Sequence, residues 1–348
     1  LPEALFMFTD TLLIFDHVTH KIKVLSHVRL DGDINEAYAA ATRKIDRLVD
    51  LLSQPLPAVN RATQKAPASG KYISNFSAEK FAESVRQIKQ YINDGEAIQV
   101  VLSQRLARET AAAPFEIYRA LRTINPSPYM YYLDFQDFQI IGASPEILVR
   151  VEEGKVMTRP PGGTRPRGRT PAEDIRLEQE LRQDEKERAE HIMLVDLGRN
   201  DIGKVSDPGS VAVSELMEVE RYSHVMHMVT HVQGKLRSDM TAFDALRACF
   251  PAGTVSGAPK IRAMEIIARF EPEKRGPYAG ACGYFSLSGN MDMAIAIRTM
   301  IVKQGTACVQ AGCGIVYDSD PEKEYEETLN KARALLKAID QAEGRSEA

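Results

Sequence analysis

The chain has 348 residues, 44% of them hydrophobic, with 44 Lys+Arg against 48 Asp+Glu and a formal net charge of −4. That length suits one large folding unit or two intimate ones, and the near balance of charge excludes the concentrated basic surface that nucleic acid or an anionic membrane demands. No run of about 18 apolar residues exists to span a bilayer, and no signal peptide is visible. Cys249, Cys282, Cys308 and Cys313 form no Cys-x-x-Cys pair, so neither zinc nor a disulfide framework is indicated and a reducing cytoplasm fits.

In chain order, Leu5 to Phe8, Thr11 to Phe15 and Lys21 to His27 read as short strands, and Asp33 to Leu52 as an amphipathic helix capped by Asp33. The chain opens on this strand-like sequence without a Met, and residues upstream are expected. Ser53 to Gly70, with three prolines and no periodicity, reads as a linker. This divides the chain into a sheet-and-helix region over 1–52, a linker over 53–70 and a main region over 71–348.

Beyond the linker, Ser77 to Tyr91 and Phe115 to Ile124 are predicted helices; Ala97 to Leu106, Met130 to Phe135, Phe138 to Gly142 and Ile147 to Val151 are predicted strands. Arg159 to Thr170 holds three prolines and three glycines and is expected to be a loop. Helical sequence follows to Asp201. His224 to Val232 alternates as a strand, and Ala242 to Phe250 and Ala258 to Phe270 are helical. Ala279 to Leu287, Met293 to Lys303 and Thr306 to Val316 read as three strands, and Pro321 to Ala342 as a closing helix capped by Asp320. Strand clusters interleaved with helices and meanders predict an α+β fold with large, mainly antiparallel sheets. No strand leads into a Gly-x-Gly-x-x-Gly turn, which removes the dinucleotide reading.

Two acidic pairs stand out. Glu187 and Glu190, and Glu324 and Glu327, are each three residues apart, which stacks two carboxylates on one helical face. Four converging carboxylates need a neutraliser, and a hard divalent cation with oxygen ligands is the natural one; two solvated charged faces are the plainer alternative. Arg159 to Gly168 carries three arginines among glycines, either an anion site or an exposed loop. Ala252 to Lys260 is a Gly-rich turn opening a helix, but its Lys is misplaced for a P-loop. Gln310 to Val316 allows close backbone approach or a bulge. His224, His227 and His231 lie close together on one strand, where partnered imidazoles are commoner than metal ligands.

These motifs together resemble the chorismate-utilising enzymes: the anthranilate, aminodeoxychorismate, isochorismate and salicylate synthases. The likeness runs from about Gly70 to the C-terminus. It is carried by Ile98 to Gln104, Asn125 to Met130, Gly142 to Glu146, Gly163 to Gly168, Glu190 to Asp196, Arg199 to Asp201, Val225 to His227, Ala252 to Lys260, Gln310 to Gly314 and Glu327 to Ala332. The fold implied is an α/β sandwich with its site between sheets and covering helices. By the same resemblance, Glu190 and Glu327 hold Mg2+, with Glu187 and Glu324 completing the acidic shell, and the metal grips the ring carboxylate of chorismate. Tyr278, Arg298 and the Gly312-Cys313-Gly314 backbone take the enolpyruvyl carboxylate, and Gly163, Thr164, Thr254 and Lys331 line the rest. Glu146 resembles the general acid and His227 the residue assisting pyruvate elimination.

Within the family, water-using members carry Lys at the position of Gln99, and aminodeoxychorismate synthases carry Lys where Gly162 stands. The resemblance therefore implies amination at C2 by ammonia from a glutamine amidotransferase partner, then pyruvate loss to anthranilate. Another chorismate aminase, or a truncated chorismate-binding fragment without catalysis, is the alternative. Pro128, Tyr129 and Met130 match one wall of the family's tryptophan feedback pocket. The family's usual Pro-Ile-Ala before Gly-Thr is here Pro160-Pro161-Gly162, a departure that the sequence does not explain.

Overall fold

The structure is a computed structural model, and residues 1–55, 70–221 and 225–345 are described. The chain forms two compact units, Leu1–Thr63 and Gln64–Ala348. Most of the expected linker, and His224, lie outside the described residues.

The first unit is a hairpin, β1 (Thr11–Asp16) and β2 (Lys21–Ser26), followed by helix α1 (Ile34–Ser53). Asp16 closes the turn by accepting from the Val18 and Thr19 amides. Asp33 caps α1 by accepting from the Asn35 and Glu36 amides. Leu5 to Phe8, expected as a strand, is irregular, because no partner strand pairs with it among the described residues.

The second unit carries β3 (Ile73–Ser74), α2 (Ala78–Asn93), β4 (Gln99–Glu109), α3 (Pro114–Ile124), β5 (Tyr129–Asp134), β6 (Gln139–Ser144), β7 (Ile147–Glu152), β8 (Lys155–Thr158) and β9 (Pro161–Pro166). Then come α4 (Pro171–Gln183), α5 (Glu185–Gly203), β10 (Ala212–Arg221), β11 (Val225–Lys235), α6 (Ala242–Cys249), β12 (Gly257–Ala258) and α7 (Lys260–Phe270). The unit closes with β13 (Ala281–Phe285), β14 (Met291–Ile295), β15 (Thr299–Lys303), β16 (Thr306–Ile315) and α8 (Pro321–Ala342).

Its strands form two antiparallel sheets. One runs β10-β11-β8-β7-β14-β13 with β9 also on β11; the other runs β12-β4-β16-β15-β6-β5 with β3 also on β4. Against the second sheet, α3 and α8 bury Ile117, Leu121, Leu335 and Ile339 on Ile141, Met300 and Val309. Around β4, α2 and α7 bury Phe81, Val85, Ile88 and Ile266 with Val100 and Leu102. That is why β4 reads as a nearly continuous buried run rather than an alternating one. On the first sheet, α5 and α6 pack Val195, Ile202 and Ala245 on Val149, Val151 and Val232.

Two expectations from sequence are corrected here. Arg159 to Thr170 is not simply a loop: β9 pairs with β11, and Gly163 is the unpaired residue of a bulge between His227 and Met228. Pro161 is tolerated because it opens the strand, where its missing N–H costs least. Nor is Met293 to Lys303 one strand. It breaks between β14 and β15, which belong to different sheets, and Arg298 turns the corner at φ 49°. A parallel break separates β6 from β7 at Pro145-Glu146. The two crossovers pair with each other: Ile295 N–H donates to the Glu146 carbonyl and Ala143 N–H to the Arg298 carbonyl. Glu146 and Arg298 are thereby fixed at the seam between the sheets.

Candidate active site

At the seam, Glu146 is buried and its Oε1 accepts from the Thr254 hydroxyl at 2.7 Å. Thr254 sits in a short 3-10 turn, Gly253–Val255, set by the Gly-rich run. Burial pushes the Glu146 carboxyl up to about 7, against the pull of Thr254, Arg298 and Lys331. A carboxylic acid that keeps its proton near neutrality is suited to general-acid work.

Arg298 is half-buried, and its guanidinium makes no salt bridge among the described residues. Burial pulls its pKa below the ordinary arginine value, opposed by Tyr278, Glu146 and Glu327. An arginine desolvated without a paired carboxylate is primed for an anionic ligand. Tyr278 is buried, its hydroxyl pushed up to about 12 by desolvation, and its ring lies 5.4 Å from the Arg275 guanidinium. Arg275 was invisible as a site residue in sequence. It ties Glu271 to the Val255 and Val101 carbonyls and so fixes Tyr278.

Gly312, Cys313 and Gly314 lie within β16 opposite Ser103, Leu102 and Val101, with no bulge in that pairing. The glycines are needed for clearance. A Cβ on Gly312 would stand 2.7 Å from the Tyr278 hydroxyl, and one on Gly314 would stand 2.4 Å from Gln99 Nε2. The Cys313 thiol is buried, which pushes it well above the usual range. Lys331 Nζ donates to the Gly312 carbonyl at 3.0 Å and pairs with Glu327 Oε1 at 2.5 Å. On the facing sheet, Thr164 of β9 lies opposite His227 of β11 and bonds its Nδ1 at 2.8 Å. Burial, then Arg298, lowers the His227 pKa, keeping the imidazole neutral and able to take a proton.

The acidic pairs sit on α5 and α8. Asp184 caps α5, accepting from the Glu187 amide, and Arg165 bridges Asp184 and Glu187. Glu190 is half-buried; burial raises its pKa and Glu187 and Glu327 raise it further, while Gln99 and Lys186 oppose. Burial and Glu327 also raise Glu324. The carboxylates feel one another, yet among the described residues no three His, Cys, Asp or Glu converge tightly enough for a ready-made metal cage. Glu187, Glu190, Glu324 and Glu327 thus share one electrostatic neighbourhood. These hard oxygen donors, Glu190 on α5 and Glu327 on α8, are the groups that would hold a divalent cation.

Gln99, at the start of β4, donates from Nε2 to Glu190 Oε1 at 3.0 Å, while its Oε1 is buried without a partner. Gly162 also finds its reason here. A Cβ there would stand 2.3 Å from Nδ1 of the buried His191, whose Nε2 bonds Thr230 at 2.6 Å. No lysine, indeed no side chain, fits at 162 without displacing that ring.

Other sequence signals resolve differently. Arg159 bonds His231 and pairs with Glu220, Arg165 is held by three acids, and Arg167 grips Asp174, so the arginine-rich run is internally neutralised rather than open to an anion. Lys260 of the Gly-rich turn is taken by Asp201 at 2.6 Å. His227 and His231 are partnered imidazoles. Tyr129 bonds Asp292 at 2.9 Å beside Arg150, and Met130 packs on the α3/α8 core. No helix among the described residues is long and apolar enough to cross a membrane.

Residues 1–337 match the chorismate binding enzyme family. The chain belongs to that family. The chain is 57% identical to anthranilate synthase component 1 of Acetivibrio thermocellus, over 98% of this chain and 70% of that protein. It is 55% identical to the component 1 protein of Aquifex aeolicus, over 96% and 68%. A crystal structure of anthranilate synthase component I from Streptococcus pneumoniae superposes with TM-score 0.85 at 46% identity, over 94% of this chain and 72% of that one. The chorismate-binding fold and a large antiparallel α+β architecture are therefore shown for this chain as well as expected from its motifs.

Proposed function

We propose that this chorismate-binding enzyme is the synthase component that aminates chorismate at C2 and expels pyruvate to give anthranilate. The relatives' names support the product class, and one observation carries the chemistry: Gln99 is pinned through Nε2 to Glu190 and keeps a buried, unpartnered Oε1. A neutral amide cannot deprotonate water, but an orphaned acceptor is costly until a donor arrives, and ammonia offers N–H donors while already being a nucleophile. The clearance at Gly162 supports the same reading, since it leaves no room for a competing lysine nucleophile.

In this reading Arg298, Tyr278 and the β16 glycines receive the enolpyruvyl carboxylate. Glu146, held by Thr254, protonates the departing C4 hydroxyl as ammonia adds to C2. His227 then removes the C2 proton as pyruvate leaves, with Thr164 orienting its ring. Mg2+ bound through Glu190 and Glu327, with Glu187 and Glu324 near, would fix the ring carboxylate and neutralise the acidic neighbourhood. The ammonia comes from a separate glutamine amidotransferase subunit in the cytoplasm, and Pro128, Tyr129 and Met130 form part of a site for tryptophan. Anthranilate fluorescence from chorismate, Mg2+ and ammonium tests this directly. The expected outcome is a product that depends on both Mg2+ and ammonium; isochorismate, or a stable aminated intermediate, would replace the reading.

A further inference from the structure

A cavity of about 40 Å³ is lined by Glu146, Thr254, Thr158, Asp201, Cys249 and Leu197, among others. One water needs roughly 10–15 Å³ of such space and two to four polar partners, so there is room for about three or four waters. Its polar lining includes Glu146 with Thr254, Thr158 and Asp201. Asp201 is itself buried, 4% exposed, and is held by Lys260 at 2.6 Å and Lys204 at 3.0 Å. The Lys204 side chain is half exposed. Lys204 and Asp201 therefore link solvent to the lining of the cavity that Glu146 also lines, and waters in that cavity would complete the line.

We propose that Asp201 anchors a water path through this cavity by which Glu146 regains a proton from solvent after each turnover. The inference rests on Glu146 acting as the general acid. When the C4–O bond breaks, the hydroxyl leaves as water carrying the Glu146 proton, and a buried carboxylate remains. The C2–N bond that forms leaves an ammonium, which sheds one proton to solvent. Glu146 takes one proton back, so none is gained or lost over the cycle. The cavity offers a return route through its Asp201 lining. Asp201 acts through Glu146 and is a positioning residue. A purely structural Asp201, tying α5 to α7 through Lys260, would show itself in stability and not in proton transfer.

The test uses the full chain with Mg2+, chorismate and ammonium, and three variants. Asp201→Asn removes the charged anchor, and Leu197→Phe adds bulk to the cavity lining while keeping the Asp201 side chain. Each is expected to lower kcat about tenfold, with KM for chorismate little changed and a larger solvent deuterium isotope effect on kcat. Glu146→Gln is expected to be inactive. Wild-type kcat and isotope effect in Leu197→Phe overturn the path while Glu146 stands, and Leu197→Phe decides alone if Asp201→Asn does not fold. An active Glu146→Gln overturns the general-acid reading instead, and the path with it.

Discussion

Thr254 donates its hydroxyl to Glu146 Oε1 at 2.7 Å, across 108 residues of sequence. The bond favours the charged carboxylate and so holds down a pKa that burial drives to about 7. Because the protonated form is the acid, activity should fall as pH rises through about 7. Thr254→Val removes the opposing bond and should carry this alkaline limb of the kcat profile upward; an unmoved limb would assign it to another group.

The same pKa makes a stability prediction. Glu146 is raised above its ordinary value of 4.5, so its favourable contribution is complete below 4.5 and is lost as pH rises through about 7. Glu146→Gln stays neutral and escapes that loss. It should therefore be more stable than wild type at about pH 8.5, by up to about 3 kcal/mol, with little difference at about pH 4. Urea unfolding at the two pH values checks the sign.

Gly162 and His191 should behave as a pair. Gly162→Ala places a methyl 2.3 Å from His191 Nδ1 and should cost about 1–3 kcal/mol of stability, while lowering activity through displacement of Gly163 and Thr164. Removing the ring in Gly162→Ala/His191→Ala should recover part of the first variant's loss. A double-mutant cycle in thermal unfolding measures the coupling, and simple additivity would mean the contact is not the cause.

Arg298 makes no salt bridge among the described residues, so its replacement breaks no internal pair. Arg298→Lys should raise KM for chorismate about 10- to 100-fold, since an ammonium cannot reproduce a bidentate carboxylate grip, and should leave folding stability nearly unchanged. Steady-state kinetics beside a melting curve separate the two effects. A fall in kcat alone would move Arg298 from ground-state binding to the transition state.

Glu190→Gln should abolish the heat of Mg2+ binding in calorimetry and, with it, Mg2+-dependent turnover. Chelation of the wild type should reproduce the inactive state reversibly. Unchanged Mg2+ binding in the variant would remove Glu190 from the ligand set.

Much of this molecule was legible locally. The helices α1, α2 and α8 follow from 3.6-residue apolar spacing and from Asp33, Ser77 and Asp320 as caps, all interactions within a few residues of one another. The acidic pairs were visible by the same arithmetic, because i and i+3 share a helical face. Apolar and β-branched runs likewise located β4, β5, β6 and β16, although their edges moved by up to three residues. Arg298, Tyr278 and Lys331 carried no pattern of their own, and only resemblance singled them out.

What the sequence alone determined, then, is the inventory of locally stabilised elements, the charged helical faces and the family to which the motifs belong. What only the tertiary structure decided is everything set by non-local pairing. β9 exists because β11 lies beside it, although its own residues favour a loop. Arg298 breaks an apparently continuous strand because two sheets must be joined there, and alternation alone cannot show where a strand changes sheets. Gly162 is explained only by His191, which reaches it from another element. Glu146 gains its raised pKa from burial at the seam, a property of the assembled fold that no stretch of sequence possesses by itself.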